Sequence, residues 1–207
     1  MSASNSHSRE AEVVLVDGRG KPTGTVGRFA AHEGEGRMHL AFTVVILDPK
    51  GQVLLARRAP TKPLWPRFFD ATVASHPHPD EDLVVAARRR VQDELGVDAE
   101  LEPHGHFRYH ARDVVAGGIV RGSEKEHCAV FLGRINGQAA PDPKEVDELR
   151  AAPPAAVCAA WSRDPRAVAP WAPLALLALR NVLAVDVPTW AALERAVAVW
   201  PDLQVLR

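Results

Sequence analysis

The sequence predicts an α/β (α+β) fold in which a mixed β-sheet packs between α-helices. Three observations carry this expectation. His39-Leu-Ala-Phe-Thr-Val-Val-Ile-Leu47 is a long apolar run, β-branched at its centre, as a strand buried on both faces requires. Glu81 to Gly96 is apolar at helical spacing, with Leu83, Ala86, Ala87, Val91 and Leu95 on one stripe. Strand-like runs flank that helix on both sides and helix-like segments close the chain, the order of a mixed layer fold.

Taken in order, Glu12-Val-Val-Leu-Val16 reads as a strand ending in the turn Asp-Gly-Arg-Gly-Lys-Pro, with Gly24 to Val26 as its returning partner. Arg28 to His32 is short and is broken by Gly34 to Gly36. The central run follows, then the turn Asp48-Pro-Lys-Gly51 and a strand from Gln52 to Arg57. A Pro- and Trp-containing loop (Pro60 to Pro66) leads to a strand from Phe68 to Ala74. Asp80 is the expected N-cap of the charged helix and Gly96 its C-terminal stop. Val97 to Arg112 is a strand pair or one bent strand, Val114 to Ser123 a glycine-containing loop, and Glu124 to Arg134 a strand. Val146 to Ala151 reads as an edge strand, and Pro153 starts a helix. Trp171 to Ala184 and Thr189 to Val199 are helix-like, separated by Asp186-Val-Pro188.

The chain of 207 residues suits one domain, expected over residues 11–207, behind a disordered polar leader at 1–10. A formal net charge of −1 argues against a general nucleic-acid or membrane-surface binder. No eighteen-residue apolar run suggests a membrane span. Two cysteines, Cys128 and Cys158, do not suggest a disulfide framework, so a reduced cytoplasmic setting is the expectation. The Ala-, Leu- and Val-rich tail can cover a pocket or form a subunit contact, leaving monomer and homodimer both open.

Five residues stand out as metal ligands: His32, His39, His76, Glu124 and Glu126. Glu124 and Glu126 are two apart in a strand and share a face with Cys128, Val130 and Leu132. Carboxylates on an apolar face need a compensating cation or protons. Three imidazoles and two carboxylates can hold a borderline divalent ion. Against this, the chain has nine histidines, and a lone histidine is more often a core or surface residue than a ligand.

Thr72-Val-Ala-Ser-His-Pro-His-Pro-Asp80 and the helix behind it resemble the Nudix box, loosely Gly-x5-Glu-x7-Arg-Glu-x2-Glu-Glu-x-Gly. Glu81, Arg88, Glu94 and Gly96 fit, whereas Ser75, Arg89 and Asp93 depart from it. A box led by Ser-His-Pro resembles one branch, the type 1 isopentenyl-diphosphate isomerases. The resemblance runs from Glu12 to about Trp171 and implies a Nudix fold. It includes Ala30-Ala31-His32, Arg37 to Phe42, His76-Pro77 and Glu124-Lys-Glu-His-Cys128, so all five ligand positions are filled.

The resemblance implies metal-dependent acid/base chemistry on a small-molecule prenyl diphosphate, nominally isopentenyl to dimethylallyl diphosphate. By it, His32, His39, His76, Glu124 and Glu126 hold Mn²⁺, Zn²⁺ or Mg²⁺, and Glu94 helps hold a second Mg²⁺ that bridges the diphosphate. Arg28, Arg58, Lys62 and Arg90 grip the diphosphate, a task suited to the guanidinium fork. Glu126 works with Tyr109 on one face of the alkene, and Trp171 faces the cation. The family's cysteine is missing: Ala74 stands in its slot and cannot move a proton. Asp70 is an acid new to the site, and with Ser75 and water is a candidate replacement. Ala74 and Ala71 are expected to enlarge the pocket. Three further readings follow: protonation-initiated cyclisation or rearrangement of a longer prenyl diphosphate, a non-catalytic prenyl-diphosphate-binding homologue, and a Nudix hydrolase. The last lacks the glutamates that Arg89 and Asp93 replace.

Overall fold

The computed structural model describes residues 12–206. The leader expected at 1–10 lies outside them. β1 (Glu12–Val16) and β2 (Pro22–Gly27) pair antiparallel, and Asp17 Oδ1 shapes their turn by accepting from the N–H groups of Arg19 and Lys21 at 2.8 and 3.0 Å. α1 (Arg28–His32) is a short helix. β3 (His39–Leu47) is the central strand and runs into β4 (Val53–Arg58) through a turn held by Asp48.

The strand expected from Phe68 to Ala74 is two pieces, β5 (Phe69–Asp70) and β6 (Val73–Ser75). Thr72 causes the break, since its hydroxyl takes over ladder bonds: it accepts from the Ile46 N–H at 2.9 Å and donates to the Leu54 carbonyl at 2.6 Å. α2 (Leu83–Leu95) begins later than expected. Its N-cap is Asp82, whose Oδ1 accepts from the N–H groups of Val84 and Val85 at 2.8 and 3.2 Å. Asp80 has a left-handed φ of 63° and belongs to the preceding turn. Gly96 closes the helix at φ 63° and donates its N–H to Gln92 O.

β7 (Glu100–Val115) and β8 (Ile119–Arg134) are one long hairpin. The loop expected from Val114 to Ser123 is mostly strand, because Gly117 and Gly118, at φ 83° and 76°, make a tight turn. β9 (Val146–Ala152) pairs only with β4, the edge expected of it. The tail holds α3 (Pro154–Arg163), α4 (Trp171–Ala178), α5 (Val187–Ala198) and an unforeseen strand, β10 (Leu203–Leu206), which pairs antiparallel with β7. α4 stops short of Ala184 because tight bonds from Leu179, Arg180 and Val182 to carbonyls three residues back replace helical ones.

The sheet order is β10-β7-β8-β3-β1-β2, with β6 and β4 also pairing β3 beyond β1. On one face Phe42, Val44, Ile46 and Val73 pack under Ala86, Ala87, Val91 and Leu95 of α2. On the other, Val45, Leu47, Val130 and Leu132 pack against Val157, Trp161, Leu176 and Leu193 of the tail helices. Burying each larger aliphatic side chain contributes about 1.5–3 kcal/mol, which explains why β3 is apolar at nearly every position. No helix among the described residues is long and apolar enough to cross a membrane.

Candidate active site

Strand register assembles the acidic and imidazole side chains. β3 and β8 run parallel with His39 opposite Glu126, and β6 pairs antiparallel with β3 so that Ser75 lies opposite Phe42. His76, the next residue after β6, and Glu126 therefore reach the space beside His39 from two sides. Alternation along β8 puts Glu124 on the same face as Glu126. α1 ends at His32, which completes the group. The ligand atoms of His32, His39, His76, Glu124 and Glu126 all lie within 4.8 Å of one another.

The hydrogen bonds around this group fit a cation. His32 Nδ1 faces the Arg28 carbonyl at 2.5 Å and His39 Nδ1 the Arg37 carbonyl at 2.7 Å. A carbonyl only accepts, so each Nδ1 carries a hydrogen and each neutral ring aims the lone pair of Nε2 inward. His32 Nε2 then meets Glu124 Oε2 at 2.7 Å, and His39 Nε2 meets His76 Nε2 at 3.0 Å. Acceptor faces acceptor in the first contact unless a proton or metal lies between. Without metal, a proton on His32 fills that role: burial lowers its pKa, but the Glu124 carboxylate outweighs this and carries it up to about 9. Burial holds the His76 pKa below its ordinary value. Three imidazoles suit a borderline divalent ion better than Mg²⁺.

The two oxygens of Glu126 divide their partners. Oε1 lies 3.1 Å from His76 Nε2 and 3.5 Å from His39 Nε2, while Oε2 accepts from the Tyr109 hydroxyl at 2.7 Å. Burial pushes the Glu126 carboxyl up, but the neighbouring His39 and His76 rings outweigh this and hold it well below the usual carboxylate range. Burial, reinforced by Glu126 and Glu124, pushes the Tyr109 hydroxyl well above its ordinary value, so it stays protonated. Trp171, first residue of α4, stacks edge-on against Trp65 with ring centres 5.3 Å apart and lies 6.3 Å from the Tyr109 ring.

These groups open onto a cleft of about 380 Å³. Arg28, Arg58, Lys62 and Arg90 all line it, as do His32, His76, Glu124, Glu126, Tyr109 and Trp171. His39 is fully buried behind the lining. Arg58 donates from Nε to the Trp65 carbonyl at 3.2 Å, from Nη2 to the Leu64 carbonyl at 3.1 Å and from Nη1 to Asp70 at 3.4 Å. Those bonds use three of its five N–H groups. Sequence reasoning missed Arg121 and Lys144, which add positive charge to the lining, and Glu145. Glu145 is ion-paired with Lys62 and accepts from Arg90 Nη2 at 3.1 Å. Its segment, Asp142-Pro-Lys-Glu, carried no periodicity or motif that could have marked it.

Placement bears on three expectations. Glu94 lies on the buried side of α2, outside the five-residue cluster, with Oε1 2.5 Å from Arg90 Nη2. Burial raises its pKa against the pull of Arg90 and Lys62. Asp70 does not line the cleft. It is 2% exposed behind Trp171, whose indole N–H donates to Oδ1 at 2.8 Å. Ala71 is fully buried and does not line the cleft either, so of the two alanines only Ala74 borders it. A recess of about 10 Å³ adjoins the cleft, lined by Asp70, Thr72, Ala74, Glu94 and Glu145 with Arg58 and Lys62. Of the remaining Nudix-box positions, Glu81, Arg89 and Asp93 form ion pairs: Arg89 clamps Glu81 with two bonds of 2.8 Å and lies 3.6 Å from Asp93.

The NUDIX domain family matches residues 37–172, the stretch that holds nearly all of these side chains. The chain is 39% identical over 159 residues to the isopentenyl-diphosphate Delta-isomerase of Nocardia farcinica, covering 77% of this chain and 89% of that one. The chain belongs to the isopentenyl-diphosphate Delta-isomerase family of NUDIX-domain proteins. The isomerase of Paenarthrobacter aurescens is likewise 39% identical (77% and 85% covered), and that of Halorhodospira halophila 37% (77% and 89%). Among solved structures, Deinococcus radiodurans DR0079 superposes with a TM-score of 0.54 at 18% identity, covering 89% of this chain and 98% of that one. That likeness supports the Nudix fold alone. Within the family frame, Ala74 lines the cleft beside Ser75 and His76.

Proposed function

We propose that the protein carries out metal-dependent acid/base chemistry on the alkene of a prenyl diphosphate, with isopentenyl diphosphate as the first candidate. One observation carries this reading: a three-histidine, two-glutamate cluster, a Tyr109–Glu126 proton pair and several cations share one cleft. His32, His39, His76, Glu124 and Glu126 would hold the ion. When bound, it supplies positive charge that sets the proton affinity of the Glu126 carboxyl.

Arg28, Arg58, Lys62 and Arg90 bind the diphosphate, displacing Glu145 from Lys62 and Arg90. Glu94 and Glu145, beside those cations, are the groups suited to a Mg²⁺ that arrives with the diphosphate. Tyr109 and Glu126 hold a proton at the alkene end, passing it between the phenol oxygen and Oε2. The Trp171 ring faces the developing carbocation and stabilises it by roughly 0.5–2 kcal/mol. Leu64 and Phe42 keep water from the tail. A longer substrate that cyclises after protonation is the second reading, favoured by the space Ala74 leaves where the family has a cysteine.

The test is to incubate the metal-loaded protein separately with isopentenyl and geranyl diphosphates and to identify products by NMR and mass. Dimethylallyl diphosphate supports isomerisation, and a cyclic or rearranged product from geranyl diphosphate supports the second reading. Recovery of both substrates unchanged, by this protein and by an Ala74→Cys variant, overturns the proposal.

A further inference from the structure

Alkene isomerisation needs a second proton partner, and β6 offers only Ala74 at the position expected to supply it. A buried acid that the reaction scheme leaves unused lies on this side. Asp70 is 2% exposed. Oδ1 accepts from the Trp171 indole N–H at 2.8 Å and from the Ala71 N–H at 2.7 Å, and Oδ2 lies 3.4 Å from Arg58 Nη1. Oδ1 is thus saturated, whereas Oδ2 has a single long contact. Asp70 and Ala74 line the same recess, and Ala74 also lines the cleft, so Ala74 borders both spaces. At about 10 Å³ the recess sits at the lower bound for one water. Its polar lining gives such a water the two to four partners it needs.

We propose that Asp70 is the second proton-carrying group of this active site, acting through one water held in the recess beneath Ala74. The inference rests on the prenyl-diphosphate reading above. After Tyr109 and Glu126 deliver a proton to the alkene, the water takes a proton from the carbon next to the cation. That C–H bond breaks, its electron pair forms the new double bond, and the cation is neutralised. A second O–H bond of the water gives its proton to Asp70 Oδ2, which leaves the water neutral. Burial pushes the Asp70 carboxyl up, making it a stronger proton acceptor, while Arg58 and the bonds from Ala71 and Trp171 restrain the shift. The charged and titratable groups around it are Arg58 on β4, Cys128 on β8, and Lys62, Glu94 and Glu145 across the recess.

The test is a cycle of Asp70→Asn, Ala74→Cys and the double variant, assayed for kcat and KM on isopentenyl diphosphate with metal content measured in parallel. Asparagine keeps an oxygen acceptor for Trp171 and removes the proton site. Asp70→Asn alone should lower kcat at least about 100-fold, the lower end for loss of a positioned acid or base, with KM little changed. In the Ala74→Cys background a thiol stands in the cleft, and the same change should cost less than about tenfold. Ala74→Val, which obstructs the recess mouth while sparing Asp70, should also lower kcat. An active parent protein whose kcat falls less than about threefold in Asp70→Asn overturns this inference alone. So does a double variant that the thiol fails to rescue, or a parent that is inert while Ala74→Cys is active. If parent and Ala74→Cys are both inert on isopentenyl and geranyl diphosphates with metal bound, the prenyl-diphosphate reading fails and this inference falls with it; if they act on geranyl diphosphate alone, this inference alone is overturned.

Discussion

Replacing Tyr109 by Phe removes one oxygen and leaves the rest of a fully buried ring in place. The ring contacts with Phe107 and Trp171, at 5.6 and 6.3 Å, are retained. What disappears is the 2.7 Å bond to Glu126 Oε2, an O–H donor to a buried carboxylate. Bonds to charged groups contribute about 1.5–3 kcal/mol, and for a chain of this size about 2–4 °C in Tm accompanies each kcal/mol. Tyr109→Phe should therefore melt about 3–12 °C lower. If the hydroxyl only oriented Glu126, the same energy would slow turnover about 10- to 150-fold, at 1.36 kcal/mol per decade. If it carries the proton, the loss should reach about 10²–10⁴-fold. Metal content should not change, because the oxygen facing His39 and His76 is Oε1. Calorimetry, metal analysis and NMR-monitored turnover of isopentenyl diphosphate separate these effects. Turnover within about threefold of the parent, with metal retained, would refute the assignment of Tyr109 to the proton pair.

Three other predictions follow from the same geometry. Asp82→Ala should cost about 1 kcal/mol through loss of the α2 cap, whereas Asp80→Gly, at a left-handed φ, should not destabilise; urea melts of both distinguish the two aspartates. Burial pushes the Cys158 thiol up to about 12 and the Cys128 thiol well above its usual value. Neither should therefore react with Ellman's reagent at pH 8 in the folded protein, and both should react once it is unfolded. The Arg89 bonds, opposed by burial, hold the Glu81 carboxyl down at about 2. A depressed carboxylate stabilises above its unfolded value of 4.5 and loses that contribution as pH falls through 2. Because the pair lies near the surface, Glu81→Gln should lower stability by no more than about 1 kcal/mol at pH 7 and by nothing near pH 2.

What could be read from the sequence was whatever rests on a local pattern. Alternation along β8 put Glu124 and Glu126 on one face, and the apolar run at His39–Leu47 marked the strand that both helix layers cover. The motifs around His32, His39 and His76 sit at strand or helix ends, so their convergence followed once the fold did. Long-range pairings stayed hidden. Glu145 meets Lys62 from 83 residues away and Arg90 from 55, through a loop without periodicity. Asp70 and Trp171, 101 residues apart, touch only because α4 folds back over the sheet. Pattern could name Asp70 as new acid chemistry, but not that it stands behind the indole. The cap failed for a local reason: Asp80 and Asp82 both suit an N-cap by residue type, and only backbone conformation, left-handed at Asp80 and extended at Asp82, chooses between them.

The most direct test of metal-dependent alkene protonation is the deuterium content of isopentenyl diphosphate and its products after incubation in D₂O with metal-loaded and with chelated protein. Deuterium should be bound to carbon in the metal-loaded sample, with near-background incorporation after chelation and recovery when a divalent ion is restored. Carbon-bound deuterium absent from every prenyl diphosphate tried, or equal with and without metal, would contradict that chemistry.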